Sequence, residues 1–400
     1  MSNQKEVAVI GAGLAGCEAA WQLGSRGIPV VLYEMRPTVM TPAHQTGQFA
    51  ELVCSNSLKS REITNAHGLL KAELKLAGSI IVQSAEEQAV PAGSALAVDR
   101  LLFASAVEER IKNCPHIRRQ NEEVTDITAL QQDYSRVILA TGPLSSDTIS
   151  QSLRRILNDE GLFFYDAIAP VVYTESVNMK IAFKASRYGK GDADYINCPM
   201  NREEYERLII GLRQAEKMPF RDFEQAKHFE GCLPVEVMAE RGMETLSYGP
   251  MKPVGLRDPR TGEQPWAVLQ LRQEDRNGEL VNLVGCQTRM RWGEQKRLFQ
   301  EVPGLENCEF ARMGSMHRNT YINAPLHLSS NLELKNHKGI YLAGQITGVE
   351  GYVESAAIGL LAGRFAAQER MDRELPPPPP ETALGALLSH ITGGADADTF

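Results

Sequence analysis

Residues 7–34, "VAVIGAGLAGCEAAWQLGSRGIPVVLYE", decide the fold. Val7 to Ile10 form an unbroken apolar run of strand length, as a strand covered on both faces requires. Gly11, Gly13 and Gly16 follow in the spacing GxGxxG, with Ala12 between the first two. "LAGCEAAWQLGSRG" then reads as a helix and "PVVLYE" as a second strand ending in Glu34. The glycines permit a tight turn, close approach of backbone to a pyrophosphate, and close packing of helix on strand. The helix start offers unpaired N–H groups and the positive end of its dipole to phosphate. Glu34, 18 residues after Gly16, is placed to accept from ribose hydroxyls.

Two later segments extend the unit. "SRVILATGP", residues 135–143, is a short apolar strand ending in Ala140-Thr141-Gly142. "GIYLAGQITGVEGYVESAAIGLLAGRFAA", residues 339–367, holds a strand, a turn with Gly344 and Gly351, and a long helix of small residues. In two-dinucleotide-fold flavoproteins an ATG strand closes the sheet, and a late strand–helix turns its N-terminus to flavin and pyrophosphate. A simple NAD dehydrogenase has no use for that third piece, so the expected cofactor is tightly bound FAD. The wide separation of the pieces requires an insertion. The expected fold class is therefore α/β: a discontinuous FAD-binding Rossmann-like domain, 1–165 and 325–400, with an inserted α+β domain, 166–324.

The rest of the chain fits this frame. Residues 60–85 have helical periodicity broken at Gly78, and a further helix starts near Asp99. "PVVYTESVNM", "ADYINCPM", "WAVLQLRQ" and "LVNLVGCQT" are short strand-like pieces around one helix, "NREEYERLIIGLRQAEK". "ELPPPPPE", residues 374–381, is a polyproline II spacer ending the last long helix. No run approaches 18 apolar residues, so no transmembrane helix is expected. The start of the chain reads as a first strand and not a signal peptide. Seven scattered cysteines, without metal spacing, argue against a disulfide framework and a structural metal, and for the reducing cytoplasm. The net charge of −8 does not advertise a nucleic-acid partner. One local exception is "CQTRMRWGEQKRLFQ", residues 286–300, where Arg289, Arg291, Lys296 and Arg297 outweigh Glu294. On composition alone that stretch is also an ordinary solvated helix start.

Taken together, "VIGAGLAGCEAAWQL", "YEMRPTVMTPAHQT", "FAELVCSNSLKS", "VPAGSALAVDR", "FEGCLPVEVMAERG", "GPMKPVGLRDP", "VLQLRQEDRNGELVNLVGCQT", "MRWGEQKR", "MHRNTYINAP" and "AGQITGVEGYVESAA" cover nearly the whole chain in order. In these strings the sequence resembles the folate- and FAD-dependent tRNA (uracil-5-)-methyltransferases, related to the small members of the GidA group. Two departures stand out. Cys17 follows Gly16 where a serine or similar residue is expected, and the family pattern continues beyond the last residue here, Phe400.

The resemblance implies a demanding reaction. The C5–H of uracil is not acidic, so a thiolate adds to C6 and makes C5 a carbon nucleophile. A one-carbon unit from 5,10-methylenetetrahydrofolate bonds to C5, a base takes the C5 proton, the adduct eliminates to an exocyclic methylene, and a hydride from reduced FAD completes the methyl group as the C6–S bond breaks. NAD(P)H regenerates the reductant. The resemblance assigns Cys232 as the nucleophile and Cys54, beside the isoalloxazine, as the base. Cys198 in "NCPM" is a weaker third candidate; Cys17, Cys114, Cys286 and Cys308 read as structural. Tyr352 follows a glycine turn expected at the flavin, where an aromatic ring can stack; a core tyrosine at a helix start is the plainer alternative. His317 and Arg318 could meet a folate carboxylate or RNA phosphate. Arg289, Arg291, Lys296 and Arg297 become the expected tRNA contacts. Three rivals stay open: the same chemistry on a 23S rRNA uridine, a small-molecule NAD(P)H–flavin oxidoreductase, and a flavin-containing RNA-binding or folding factor. Oligomeric state is not legible.

Overall fold

The computed structural model describes residues 5–159, 162–189, 192–218, 233–370 and 375–394, the side chains of 162–166, 317, 318, 369 and 370 excepted. Strands Val7–Ile10 and Val30–Tyr33 are buried at every position. They lie in a six-stranded sheet with the order Glu333–Leu334, His337–Leu342, Arg136–Leu139, Val7–Ile10, Val30–Tyr33, Ile117–Gln120. The last five strands of that order run parallel, and the two-residue edge strand is antiparallel. One expectation needs correcting. The strand ending in Ala140-Thr141-Gly142 does not close the sheet, because His337–Leu342 returns to cover its other side.

Helix Leu14–Gly24 packs against the long helix Tyr352–Arg370. Small residues are needed there: a Cβ on Gly359 would lie 2.3 Å from the Ala15 carbonyl oxygen, and one on Gly363 2.7 Å from that of Ala19. The periodic run after residue 60 divides at Gly78 into Ala66–Leu76 and Ile80–Glu87. The two are capped by the Asn65 and Ser79 side chains. Asp99 caps Arg100–Lys112 by accepting from the Leu101 and Leu102 N–H groups.

A second six-stranded sheet has the order Phe183–Ala185, Tyr195–Met200, Ala267–Gln273, Leu280–Leu283, Val171–Tyr173, Phe310–Arg312, antiparallel throughout. Helix Arg202–Gln214 lies beside it and opens on a capping box between Asn201 and Glu204. Strands Leu162–Ile168 and Ser315–Tyr321 form a separate antiparallel ribbon. The two larger apolar clusters among the described residues follow the two six-stranded sheets. One draws on residues 7–153 and 322–391, the other on residues 172–308. Among the described residues no helix is long and apolar enough to cross a membrane.

After the proline run the chain docks back on the first cluster. Helix Ala383–Ser389 buries Leu384 and Leu388. The Ala383 and Leu384 N–H groups donate to the two Glu73 carboxylate oxygens at 2.9 and 2.8 Å. A carboxylate on a helix N-terminus satisfies donors that the helix itself cannot. Glu73→Ala is expected to speed amide exchange in residues 386–391 about tenfold, the equivalent of ~1.4 kcal/mol of local opening. Unchanged exchange would show that burial of Leu384 and Leu388 suffices.

Candidate active site

The first turn is built for a phosphate. Gly11 has φ +95°, and a Cβ there would lie 2.6 Å from the Ala140 carbonyl oxygen, so only glycine fits. A Cβ on Gly16 would lie 1.8 Å from the Gly11 carbonyl oxygen, which ties the helix to the turn. Gly13 differs: it caps helix Leu14–Gly24 without any side-chain hydrogen bond, and a Cβ there would meet nothing within 4 Å. Gly142 faces equally open space. The free helix N–H groups and this opening fit a pyrophosphate. Gly344 and Gly351 sit where packing is close. A Cβ on Gly344 would lie 2.7 Å from the Ala15 Cβ, and one on Gly351 2.2 Å from a Glu354 carboxylate oxygen.

Glu34 lines the same cleft with Gly11, Gly13, Arg36, Thr141 and Ser145. Its carboxylate accepts from the Ala12 N–H at 3.0 Å and from the Arg36 N–H, Nε and Nη2 at 3.0, 2.9 and 3.1 Å. Burial pushes this carboxyl up, but the Arg36 hydrogen bond and charge prevail and hold it below the usual carboxylate range. Arg36 has a second carboxylate at hand, Glu51, at 3.1 Å. The Arg36 partnership was not foreseen, although "YEMRP" puts an arginine two residues after the acid.

Cys54 and Tyr352 meet across the sequence. The Tyr352 hydroxyl accepts from the Cys54 N–H at 2.8 Å and the Ser55 N–H at 3.2 Å. Its own O–H remains to donate. Burial, then the charge of Cys54, pushes the Tyr352 hydroxyl above its usual range. The Cys54 Sγ faces the Ala167 carbonyl oxygen at 3.8 Å. Arg100 holds the same loop by donating to the Leu52 and Cys54 carbonyl oxygens at 2.6 and 3.3 Å. Its Nε bonds Glu274, which also accepts from Asn282. Beneath them, fully buried Asn56 accepts from Arg272 Nε at 3.0 Å and donates to the Val98 and Gln273 carbonyl oxygens. Arg100, Asn56 and Glu274 lie inside the quoted strings, but neither periodicity nor spacing distinguishes them from other polar residues.

The remaining candidates separate. Cys232 lies outside the described residues; the chain resumes at Leu233, and the Val235 N–H donates to the Gln287 carbonyl oxygen at 2.7 Å. Cys198 is 0% exposed in the second sheet, and burial pushes its thiol well up. Cys17, Cys114, Cys286 and Cys308 are buried. The side chains of His317 and Arg318 lie outside the described residues. Of the basic stretch, Arg291 pairs with Glu216 at 3.3 Å, and Arg297 with Glu294 and Glu301. Arg289 is half-buried and Lys296 exposed. Trp292, 68% exposed at the start of helix Trp292–Phe299, was not singled out from sequence.

Residues 6–374 match the model of the family described as glucose inhibited division protein A. The methylenetetrahydrofolate–tRNA-(uracil-5-)-methyltransferase TrmFO of Desulforudis audaxviator is 59% identical over 387 residues, 96% of this chain and 87% of that protein. The same-named protein of Geobacter sulfurreducens is 56% identical, over 96% and 88%. The solved structure of Aquifex aeolicus GidA superposes with a TM-score of 0.74 at 15% identity, covering 98% of this chain and 68% of that one, which shows a shared fold.

Proposed function

The chain belongs to the GidA family and, within it, to the methylenetetrahydrofolate–tRNA-(uracil-5-)-methyltransferases, and on that premise we propose that it forms 5-methyluridine in the T-loop of tRNA. The observation that carries this reading to the site is the 2.8 Å bond that brings Cys54, from the loop after the second strand, onto Tyr352 at the start of the late helix.

FAD fits the first turn: Gly11, Ala12, Gly13, Gly16 and Gly142 would hold its pyrophosphate. Glu34 would take the ribose, releasing an Arg36 hydrogen bond while Glu51 keeps Arg36 paired. Bound there in reduced form, FAD supplies the hydride that completes the methyl group, the carbon coming from 5,10-methylenetetrahydrofolate and the reducing equivalents from NAD(P)H. Cys232 attacks C6 of the uracil. Cys54 takes the C5 proton at its Sγ, its loop held in place by Tyr352 and Arg100. The two apolar clusters support a division into a cofactor domain, 1–165 with 325–400, and an inserted domain, 166–324, that faces RNA. The target base has to leave its folded loop to reach the cysteines.

The test is to incubate the reduced protein with labelled methylenetetrahydrofolate and either a tRNA transcript or a 23S rRNA fragment, then digest to nucleosides. Labelled 5-methyluridine from tRNA is expected. Label from the rRNA fragment alone moves the substrate, and label from neither removes the reading.

Arg289, Arg291, Lys296 and Arg297 stand as the RNA contacts, with Trp292 beside them offering a stacking face. RNA phosphates would replace the surface carboxylates now paired with Arg291 and Arg297. Arg289→Ala with Arg291→Ala is expected to weaken tRNA binding, keep the flavin, and flatten the log–log salt slope by about 1.4 to 1.8. An unchanged slope would place the RNA elsewhere.

A further inference from the structure

Arg312 ends strand Phe310–Arg312, opposite Val171. Val171 follows closely on Ala167, whose carbonyl oxygen faces the Cys54 Sγ. The Arg312 Nε and Nη2 are buried, and neither has a hydrogen-bond partner. A guanidinium keeps its charge at neutral pH, and two N–H groups left unpaired out of water are costly. The nearby carboxylate does not relieve them, since Glu274 is bonded by Arg100 and Asn282. Among the described residues, Glu274 is the carboxylate whose charge acts on Arg100, Arg272 and Arg312 alike. Other buried polar atoms without partners lie on the elements around them. Glu354 Oε2 sits two residues after Tyr352 in the same helix. The fully buried Asn319 Nδ2 sits on the strand paired with Leu162–Ile168. Two buried, unpaired donors on one guanidinium call for an explanation, and a ligand supplies one.

We propose that Arg312 donates its Nε–H and Nη2–H side by side to a carbonyl edge of a pyrimidinedione ring bound beside Cys54. The fork of adjacent donors can take the N1–C2=O pair of an isoalloxazine, or close on one carbonyl oxygen of a uracil, whose N1 is glycosylated and whose N3 bears hydrogen. Such an edge becomes electron-rich when its ring takes up an electron pair, and a fixed buried cation then stabilises it most. Burial, then Arg100, holds the guanidinium pKa down to about 10, while Glu274, Tyr352 and Cys54 pull the other way, so it stays charged near pH 7. Two rings of this chemistry belong to the reaction proposed above, on which the inference rests: the pyrimidine part of the isoalloxazine and the uracil of the substrate.

The test compares holoenzyme with Arg312→Met and Arg312→Lys by two measurements. One is the two-electron midpoint potential of the bound flavin, which needs no RNA. The other is the rate of covalent trapping of a tRNA transcript carrying 5-fluorouridine, at matched RNA occupancy. If the isoalloxazine is the ligand, Arg312→Met lowers the potential by a tenfold change in equilibrium, ~30 mV or more. If the uracil is the ligand, the potential stays and trapping slows at least about tenfold. In either case Arg312→Lys, with charge but no fork, recovers only part. Wild-type potential and wild-type trapping in both variants, at full flavin content, overturn the proposal. If Arg312→Met fails to fold or to hold flavin, Arg312→Lys decides by the same two readings. Failure of the methyltransferase reading looks different: wild-type protein then traps no RNA, and the potential alone judges Arg312.

Discussion

Cys232→Ala is expected to abolish both methylation and covalent trapping of 5-fluorouridine tRNA, whereas Cys54→Ala abolishes turnover and still gives the trapped adduct. The difference follows from when each sulfur acts. The C6–S bond has to form before C5 can act as a nucleophile, so losing the attacking thiolate stops every later step. Fluorine cannot leave C5 as a cation, so with this substrate the reaction halts after carbon transfer, before any base is needed. Removing a base costs about 10²–10⁴ in rate; removing the only nucleophile costs more, of the order of 10⁴ or beyond. Cys54→Ala is a clean change in this fold. Its loop is held by backbone bonds to Tyr352 and Arg100, and the Sγ makes a weak contact with the Ala167 carbonyl oxygen. Denaturing gel mobility of labelled RNA reads the adduct, and nucleoside analysis reads the methyl group. An adduct with Cys232→Ala and none with Cys54→Ala would exchange the roles. An adduct that survives the double variant would leave both assignments without support, and fully buried Cys198 is a poor substitute.

Gly13→Val is expected to give folded protein without yellow colour. A Cβ at Gly13 meets nothing within 4 Å, and its φ of −74° and ψ of −169° suit any residue. Valine therefore costs the fold little beyond a poorer helix cap, about 1 kcal/mol. Its methyl groups would stand in the space that a pyrophosphate needs, so flavin content at fixed FAD should fall at least about tenfold, ~1.4 kcal/mol or more of binding. Gly16→Ala makes the contrast. Its Cβ would lie 1.8 Å from the Gly11 carbonyl oxygen, so it should disturb the turn itself and lower stability together with flavin. Absorbance of the purified proteins, thermal unfolding and FAD titration separate the two. Full flavin in Gly13→Val would place the pyrophosphate elsewhere.

The sequence by itself determined the parts whose physics is local. The turn after Val7–Ile10, the helix starts at Asp99 and Asn201 and the break at Gly78 each depend on a few adjacent residues, and periodicity with glycine spacing reveals them. The late strand and helix were legible for the same reason, since a helix that packs closely on another needs small residues such as Gly359 and Gly363. Strands such as Phe183–Ala185 and Phe310–Arg312 were not legible, because three residues carry too little pattern and are held as strands by distant partners. The site was decided by tertiary structure. That Tyr352 holds the Cys54 loop and that Arg100 bonds Glu274 are contacts between residues far apart in the chain that no spacing encodes, whereas Arg36 on Glu34 and Arg297 on its two glutamates are pairs of sequence neighbours. Arg312 is the extreme case. In the sequence it is one charged residue in "EFARMG"; only the folded chain buries its Nε and Nη2 and leaves both without a hydrogen-bond partner.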